Sequence, residues 1–312
     1  MHPFDYQVEK MNKIFYIDRL SGQTQVEKIY HESLLQLLYG DSKKNHYLRQ
    51  LLLPVLTRSA LMSRFYGYLQ KRAASQRKIM PFIQKFDVDS SEFLEPVSSF
   101  HSFNDFFIRR LKSTVRPLAV GRSVAVFPAD GRYLFYDKLS VHQQLSVKGK
   151  LFYLKELLQD EALAKDYANG TLVMGRLCPS DYHRFHFPCD CTLGPTHVIN
   201  GYLQSVNPLA VKHNLETFSQ NERTLCRLQT AAFGQVLDME IGAFNVGSIQ
   251  QTYQPEVLQV KGAEKGYFEF GGSAIILLFK ENTIRLDQDL LEATAKGLEM
   301  RCLMGQRLGQ TI

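Results

Sequence analysis

The sequence predicts an α+β protein, with a helical N-terminal region followed by a β-rich domain whose strands are mostly antiparallel. From Thr24 to about Leu111, apolar residues recur at spacings of three and four, which is typical of amphipathic helices. After Pro117 the pattern changes to short runs rich in Val, Ile, Tyr and Phe between glycine turns, which indicate strands. We therefore predict a helical region over residues 1–112 and a β-rich domain over residues 113–312.

The individual elements follow from the same two patterns. The run YLRQLLLPVLTRSALMSRFYGYLQKRAASQRKIMPFIQKF predicts helices, residues 86–99 a linker with capping residues, and FNDFFIRRLK (residues 103–112) a short amphipathic helix. The predicted strands are SVAVFP, GRYLFYD, TLVMGRLC, THVINGYLQSV, TLCRLQTAAFGQVLDMEIGAF, NVGSIQQTY, GYFEF and AIILLF. Short helices are predicted at LFYLKELLQD and DQDLLEATAKG.

Composition excludes several classes of protein. A chain of 312 residues with 45% hydrophobic content can bury a large core, so it is neither disordered nor fibrous. Five irregularly spaced cysteines argue against a disulfide framework. The net charge of +6 is too small to indicate a nucleic-acid partner, and we predict none. Because no apolar run approaches about 18 residues and no signal peptide is evident, we expect a soluble or peripheral protein.

Basic residues concentrate in the helical region. Between Leu51 and Phe86, arginines and lysines alternate with aromatic and aliphatic side chains, a composition that suits an anionic membrane surface. The pattern alone favours an ordinary helix with one solvated face and one face against the core.

Three short segments contain residues that can carry chemistry. The first, FPADGR, ends a predicted strand at Asp130-Gly131, a dipeptide typical of turns. The second, CPSDYHRFHFPCDC, places His183 and His186 three residues apart in an aromatic setting. A neutral imidazole oriented by a carboxylate, such as Asp130 or Asp181, would suit activation of a nucleophile.

The same segment permits two other interpretations. One is a structural histidine on a strand. The other is a zinc site, since Cys178, Cys189 and Cys191 lie near both histidines, although their spacing matches no common zinc motif. We rank the general base first and zinc last.

The third segment, GYFEFGGSAIILLF, interrupts strong strand sequence with Gly271-Gly272-Ser273. Such a triplet is usually a bulge or a tight turn. A serine after glycine can also turn its hydroxyl onto the preceding carbonyl, which glycine leaves sterically open.

Eight collinear segments, which cover most of the chain, resemble the phosphatidylserine decarboxylase family. They are FNDFFIRRLK, PADG, DYHRFHFP, GYLQSVNP, NER, IGAFNVGSI, KGAEKGYFEFGGS and MGQRLG. The chain departs from the usual family pattern at Ala274, where threonine is common, and at Gln306, where glutamate is often found.

The resemblance implies self-processing at the Gly272–Ser273 bond. His186, oriented by Asp130, would remove the proton from Ser273 Oγ, which attacks the Gly272 carbonyl and forms an ester. Elimination and hydrolysis would then leave a covalent pyruvoyl group in place of Ser273. The products would be a β chain of residues 1–272 and an α chain of residues 273–312.

The resemblance also implies the reaction that follows. The pyruvoyl ketone would form a Schiff base with phosphatidylserine, accept the electrons left by CO2 and release phosphatidylethanolamine, with His183 acting on the substrate and no metal required. The expected partner is phosphatidylserine in an anionic membrane, reached peripherally from the cytoplasmic face of the cell membrane. The oligomeric state is left open, and a homodimer is one expectation.

Two alternatives remain at this stage. One is a zinc-dependent hydrolase that uses His183 and His186. The other is a non-catalytic peripheral membrane protein built on a degenerate decarboxylase fold, against which the retained Asp130, His186, Gly272 and Ser273 argue.

Overall fold

The structure, a computed structural model, describes residues 14–30, 67–139, 144–147, 150–202, 217–242 and 249–312. Its strands are β1 Phe15–Asp18, β2 Thr24–Val26, β3 Val124–Val126, β4 Gly131–Tyr136, β5 Gln144–Val147, β6 Lys150–Tyr153, β7 Thr171–Leu177, β8 Arg184–His186, β9 His197–Ile199, β10 Arg223–Thr230, β11 Gly234–Gly242, β12 Ile249–Gln251, β13 Glu264–Phe268, β14 Ser273–Phe279, β15 Ile284–Leu286, β16 Glu299–Cys302 and β17 Arg307–Thr311.

The helices are short. Residues 67–71 are helical. The α-helices with defined ends are α1 Ile79–Phe86, α2 Phe103–Phe107, α3 Leu154–Leu158, α4 Glu161–Asp166, α5 Thr217–Gln220 and α6 Gln288–Ala295, and the 3-10 turns are Ala73–Lys78, Ser90–Glu92 and Val97–Ser99.

A large sheet organises the described part of the chain. Its nine strands run in the order β2-β1-β16-β4-β7-β14-β11-β10-β9, and every neighbouring pair is antiparallel except β1 with β16. Two three-stranded sheets, β12-β13-β8 and β15-β17-β3, and the β5-β6 hairpin complete the β structure. The prediction of an α+β fold with mostly antiparallel strands is confirmed at this level.

Both faces of the large sheet are covered by apolar side chains. Along β14, Ile276 and Leu278 face one core cluster, whereas Leu277 and Phe279 face the other. This alternation follows from the two-residue period of a strand, and burial on both faces explains the continuous apolar run AIILLF. Helices α3 and α4 cover the first face and α6 covers the second.

A third, aromatic cluster joins the helical segment to the domain. Helices α1 and α2 pack Phe82, Phe103, Phe106 and Phe107 against one another and against Phe270, just before β14. The buried residues of α1 thus belong to the core, as an ordinary amphipathic helix predicts.

Several predicted elements differ from the structure. Thr24–Val26 was expected to be helical but forms β2, because this segment pairs with β1 at the edge of the large sheet. The predicted helix at LFYLKELLQD begins only at Leu154, because Lys150–Tyr153 pairs with β5. The helix predicted over residues 103–112 ends at Phe107. Residues 31–66, which include the first part of the basic segment from Leu51 to Phe86, lie outside the described residues.

Candidate active site

Ser273 begins β14 at the centre of the large sheet. It pairs with Leu177 of β7 and Gly242 of β11, and its side chain is fully buried. The chain enters this strand through Gly271, whose φ of 154° lies in a region that residues with a Cβ rarely adopt. The Gly-Gly pair therefore allows a bend immediately before a rigid, buried serine.

The hydroxyl of Ser273 faces a histidine. Ser273 Oγ lies 3.4 Å from Nδ1 of His183, and His183 Nε2 lies 3.0 Å from the carbonyl oxygen of Cys178. Because a carbonyl oxygen can only accept a hydrogen bond, Nε2 carries the proton in the neutral ring. Nδ1 is then left with a lone pair towards Ser273, which is the tautomer that a general base requires.

Burial keeps the His183 ring neutral. The side chain is fully buried, and its ring stacks on Phe107 of α2 with centroids 3.8 Å apart. Burial, opposed by the negative charge of Asp181 and aided by the positive charge of Arg109, lowers the pKa of His183 to about 3. The ring is therefore unprotonated throughout the physiological pH range.

Buried polar contacts position the loop that carries His183. Asp181 forms an ion pair with Arg132, 2.5 Å from Nη1, and accepts a hydrogen bond from the backbone N–H of Cys178. Although burial opposes it, the Arg132 charge holds the pKa of Asp181 below its usual value. Arg109 donates through Nη2 to the carbonyl oxygens of Ser180 and Asp181. Residue 181 therefore shapes the loop from Cys178 to His183.

Helix α2 holds the segment before the Gly272–Ser273 bond. Ser102 caps the helix by accepting a hydrogen bond from Asp105 N–H, which fixes the start of α2. At the second residue of the helix, Asn104 Oδ1 accepts a hydrogen bond of 2.8 Å from the buried N–H of Phe270. The same helix thus orients His183, through Phe107, and the chain on the amino side of Gly272.

Asp130 lies in a buried ionic network. Its carboxylate accepts hydrogen bonds from Nε and Nη2 of Arg116 and from the backbone N–H of Met304. The last contact joins the PADG turn to the MGQRLG segment, where Gln306 Oε1 accepts a hydrogen bond from Leu303 N–H. The amide oxygen of a neutral glutamine accepts this hydrogen bond, so the turn needs no charge at position 306.

His186 ends β8 and is buried, with 7% of its surface exposed. Its Nδ1 atom has no hydrogen-bond partner in the structure, and burial lowers the pKa of the ring to about 4. Among the hydrogen bonds of the described residues, none joins His186 to Ser273 or to Asp130. The structure thus brings His183 to Ser273, whereas the predicted Asp130–His186–Ser273 chain of hydrogen bonds is not formed in it.

A polar cleft of about 460 Å³ borders this site. It is lined by residues of β1, the linker after α1, the PADG turn and the 178–183 loop, including Tyr182, Asp130 and Asp181. Four of its arginines approach one another from different segments: Arg109, Arg116, Arg132 and Arg301. Ser273 does not line the cleft, which meets the site at the loop that carries His183.

The cysteines do not form the metal site considered above. In the part of the chain that the structure describes, no group of three or more His, Cys, Asp or Glu side chains has an arrangement that could hold a metal ion. Cys178, Cys189 and Cys191 are free and buried, and burial raises the pKa of each thiol. Nothing in this arrangement supports a zinc-dependent hydrolase.

Sequence reasoning missed the arginines and the aromatic residue that build the site. Arg132 and Arg176 lie in the apolar strands β4 and β7, where a charge is unexpected, and that position was an available signal. Phe107 gave no comparable signal, because aromatic residues at helical spacing are usually core. Its stack on His183 depends on tertiary packing alone.

Fold and site together define an α+β protein with a buried serine–histidine pair at a Gly-Gly bend. Comparisons with known proteins identify the family to which it belongs. The sequence profile of the family described as phosphatidylserine decarboxylase matches residues 103–310. The chain therefore belongs to the phosphatidylserine decarboxylase family.

Curated relatives cover nearly the whole chain. A phosphatidylserine decarboxylase proenzyme of Chlamydia felis is 48% identical over 302 residues, 97% of this chain and 99% of the relative. Proteins of the same name from Chlamydia pneumoniae and Chlamydia trachomatis serovar D are 47% and 40% identical, over 96% of this chain and 98% and 97% of theirs. The similarity thus extends through the N-terminal region, beyond the part that the family profile matches.

Proposed function

We propose that this chain is a proenzyme that cleaves itself between Gly272 and Ser273 and then decarboxylates phosphatidylserine to phosphatidylethanolamine. The observation that carries the proposal is the buried Ser273 hydroxyl beside the unprotonated Nδ1 of His183, directly after two glycines. Family membership and the proenzyme name of the relatives agree with it.

Cleavage begins with a proton transfer from Ser273 Oγ to a neutral imidazole. The oxygen attacks the Gly272 carbonyl carbon, the C–N bond breaks, and the nitrogen recovers a proton, so the amide becomes an ester. Loss of the Ser273 α-proton then breaks the Cβ–O bond, which releases a carboxylate at Gly272 and leaves dehydroalanine. One water converts dehydroalanine to a ketone and ammonia, which gives the predicted pyruvoyl group.

His183 is the base that the geometry supports best, because its lone pair faces Ser273 Oγ. His186, the base implied by family resemblance, is the second candidate. Its buried, unpartnered Nδ1 favours it, since such atoms usually have a partner in some state of the protein. Asp130, engaged by Arg116, would act on His186 only after a change of hydrogen-bond partners.

The surroundings of Ser273 suit a chain-bound ketone. The position is fully buried, and no charged side chain of the described residues forms a hydrogen bond with Ser273. The pyruvoyl group supplies an electron sink for loss of CO2 from an amine-linked substrate. His183, next to that position, can hold or deliver a proton, and the adjoining loop keeps its ring in place.

Intact mass under denaturing conditions tests the proposal. Freshly made protein should resolve into two chains that separate before residue 273, with the smaller chain blocked to N-terminal sequencing. Ser273→Ala should give one intact chain, because the attacking oxygen is gone. Ser113→Ala, outside the site, is the matched control and should cleave normally. Cleavage of the Ser273→Ala protein at the same bond would contradict the mechanism.

We also infer peripheral association with the cytoplasmic face of an anionic membrane, where the lipid substrate resides. Tyr68 and Met80 are 58% and 52% exposed beside the basic residues Arg72 and Arg77, which supports a surface of mixed apolar and cationic character. Among the described residues, no helix is long and apolar enough to cross a bilayer. Salt-sensitive sedimentation with phosphatidylserine vesicles, absent with neutral vesicles, would support this association, and failure to sediment would refute it.

A further inference from the structure

Lys265 is a fully buried lysine that the proposed mechanism does not use. Its ammonium group forms ion pairs with Oδ2 of Asp238, at 2.7 Å, and with Oε1 of Glu240. These three residues form the Lys265 cluster, and none of them is more than 1% exposed. Glu240 also accepts hydrogen bonds from the hydroxyl of Thr224 and from Nε2 of Gln251. Replacing a buried ionic cluster by apolar residues is often neutral or stabilising, so stability alone does not explain it.

The ion pairs of Lys265 join two different sheets. Lys265 lies on β13, in the three-stranded sheet, whereas Asp238 and Glu240 lie on β11, in the large sheet. Where β13 pairs with β8, Lys265 is the extra residue at an irregularity between Glu264 and Gly266. An extra residue in a strand re-aims a side chain. Here the extra residue is the one whose side chain reaches the carboxylates of the other sheet.

Strand β13 holds two parts of the reaction site. Its last residue, Phe268, donates its backbone N–H to the carbonyl oxygen of His183, at 2.9 Å. Residues 269–272 then connect β13 to Ser273, and they include the Gly-Gly bend. A displacement of β13 would therefore move both the base and the scissile carbonyl relative to the attacking hydroxyl.

The carboxylates of the Lys265 cluster lie on the strand that pairs with the start of β14. Gly242 of β11 pairs with Ser273, and Glu240 lies two residues before Gly242 on the same strand. Residues two apart on a strand point to the same face of a sheet, so Glu240 shares the face of Ser273 and is its diagonal neighbour. The cluster thus connects β13 to the sheet directly beside the reacting serine.

We propose that the Lys265 cluster positions β13 against β11 for self-cleavage, so that the base and the scissile carbonyl meet the Ser273 hydroxyl. Ion pairs with two fixed carboxylates define one position of the strand, whereas apolar side chains lose a unique arrangement before they lose stability. Lys265 is a positioning residue, because its ammonium group bonds to no reacting atom. The assignment depends on the proposed function and adds the contacts that assemble its site.

A charge-free cluster separates positioning from stability. The triple variant Lys265→Met, Asp238→Leu, Glu240→Gln removes all three charges together, so no buried carboxylate is left unpaired. In the otherwise native chain, it should cleave about 10- to 100-fold more slowly than the wild type, since a misplacement of about 1 Å can cost that much. A time course of intact mass under denaturing conditions measures the rate, and thermal unfolding in the Ser273→Ala background measures the stability.

Leu290→Ala is the matched control for stability. Leu290 is a fully buried residue of α6, which contributes nothing to the reaction site. Its truncation leaves a cavity and should lower the unfolding temperature, yet cleavage should proceed at the wild-type rate. A wild-type rate in the triple variant, or equal slowing in a Leu290→Ala protein of equal unfolding temperature, would overturn the inference.

Glu240→Gln alone is a milder test. The substitution keeps the shape of the side chain and leaves one ammonium paired with one carboxylate, so this variant should fold even if the triple variant does not. It should unfold close to the wild-type temperature and cleave more slowly than the wild type. Cleavage at the wild-type rate would count against the cluster as a positioning device.

Hydroxylamine identifies the step that the cluster affects. It splits esters into a hydroxamate and an alcohol but leaves ordinary amides intact, so it should release little additional product from the triple variant, in which the ester forms slowly. Rapid splitting would show that the ester forms normally and would refute a role in the attack. If the wild-type chain does not cleave, the proposed function fails; if it cleaves and the triple variant cleaves equally fast, only this inference fails.

Discussion

At the scale of single residues, hydrogen-bond geometry favours His183 as the base, whereas the family resemblance implies His186. His183 and His186 are both buried with lowered pKa values, about 3 and about 4. Only His183 has one nitrogen fixed by a carbonyl and the other directed at Ser273. The choice of base is thus a question of tautomer and position rather than of pKa.

We expect His183→Gln to slow self-cleavage about 100- to 10,000-fold, the usual contribution of a general base. The measurement is a time course of intact mass under denaturing conditions. His197→Gln, on an exposed strand, serves as the control and should cleave at the wild-type rate. If His183→Gln cleaves normally and His186→Gln does not, the base is His186 and Asp130 is its partner.

The same pKa values predict how cleavage depends on pH. A base with a pKa of about 3 is unprotonated at every pH well above that value. The cleavage rate should therefore be level from about pH 5 to pH 8 and fall only as the ring gains a proton near pH 3 to 4. A rate that halves near pH 6.5, the ordinary value for histidine, would contradict a buried, neutral base.

At the scale of elements, α2 supports both sides of the reaction site. Its Phe107 ring orients His183, and its Asn104 side chain fixes the chain that leads to Gly272. A helix of five residues has little intrinsic stability, so α2 depends on its cap and on the aromatic cluster.

Asn104→Leu should remove the acceptor for the buried Phe270 N–H, at a cost of about 1–3 kcal/mol in the free energy of unfolding. We expect slower cleavage as well, because the segment before Gly272 loses its anchor. Thermal unfolding in the Ser273→Ala background and cleavage rate in the otherwise native chain measure the two effects. Asn200→Leu, at an exposed position, is the control, and a normal cleavage rate in Asn104→Leu would show that the anchor is dispensable.

At the scale of the whole molecule, the two predicted chains are interleaved. The smaller one, residues 273–312, supplies β14 between β7 and β11, β16 between β1 and β4, and β17 between β15 and β3. Every residue of β14 is buried, and burial of each large apolar side chain contributes about 1.5–3 kcal/mol. Breaking one peptide bond before β14 removes none of these contacts.

Cleaved protein should therefore behave as one particle in native buffer. Size-exclusion chromatography should show both chains eluting together at the volume of the uncleaved Ser273→Ala protein, and only denaturant should separate them. Elution of the smaller chain by itself without denaturant would contradict the interleaved arrangement.

The N-terminal strands β1 and β2 belong to the same folded unit as the strands of the β-rich part. Glu27, just after β2, forms ion pairs with Arg132 of β4 and Arg176 of β7, and Arg176 also pairs with Glu299 of β16. This buried network joins the first described residues to the centre of the sheet. Although the proposed division at residue 112 remains a prediction, β1 and β2 lie within the large sheet of the β-rich part.

Much of the fold was predictable because strand and helix periods are local. The apolar run of β14, the aromatic and aliphatic run of β4 and the helix α6 each follow from neighbours a few residues apart. The failures have a common cause: Thr24–Val26 and Lys150–Tyr153 are strands because partners far away or across a turn pair with them. Local preference does not register such partners.

The sequence by itself determined the family, the Gly272–Ser273 bond as the expected cleavage point and the residue types available for chemistry, because these depend on the order of residues along the chain. Only the tertiary structure decided that His183 contacts Ser273, that Asp130 pairs with Arg116, and that Asp181 pairs with Arg132. The reason is physical. Tautomer, burial and ion pairing depend on distances between segments remote in sequence, which are fixed only when the sheet, helix α2 and the 178–183 loop pack together.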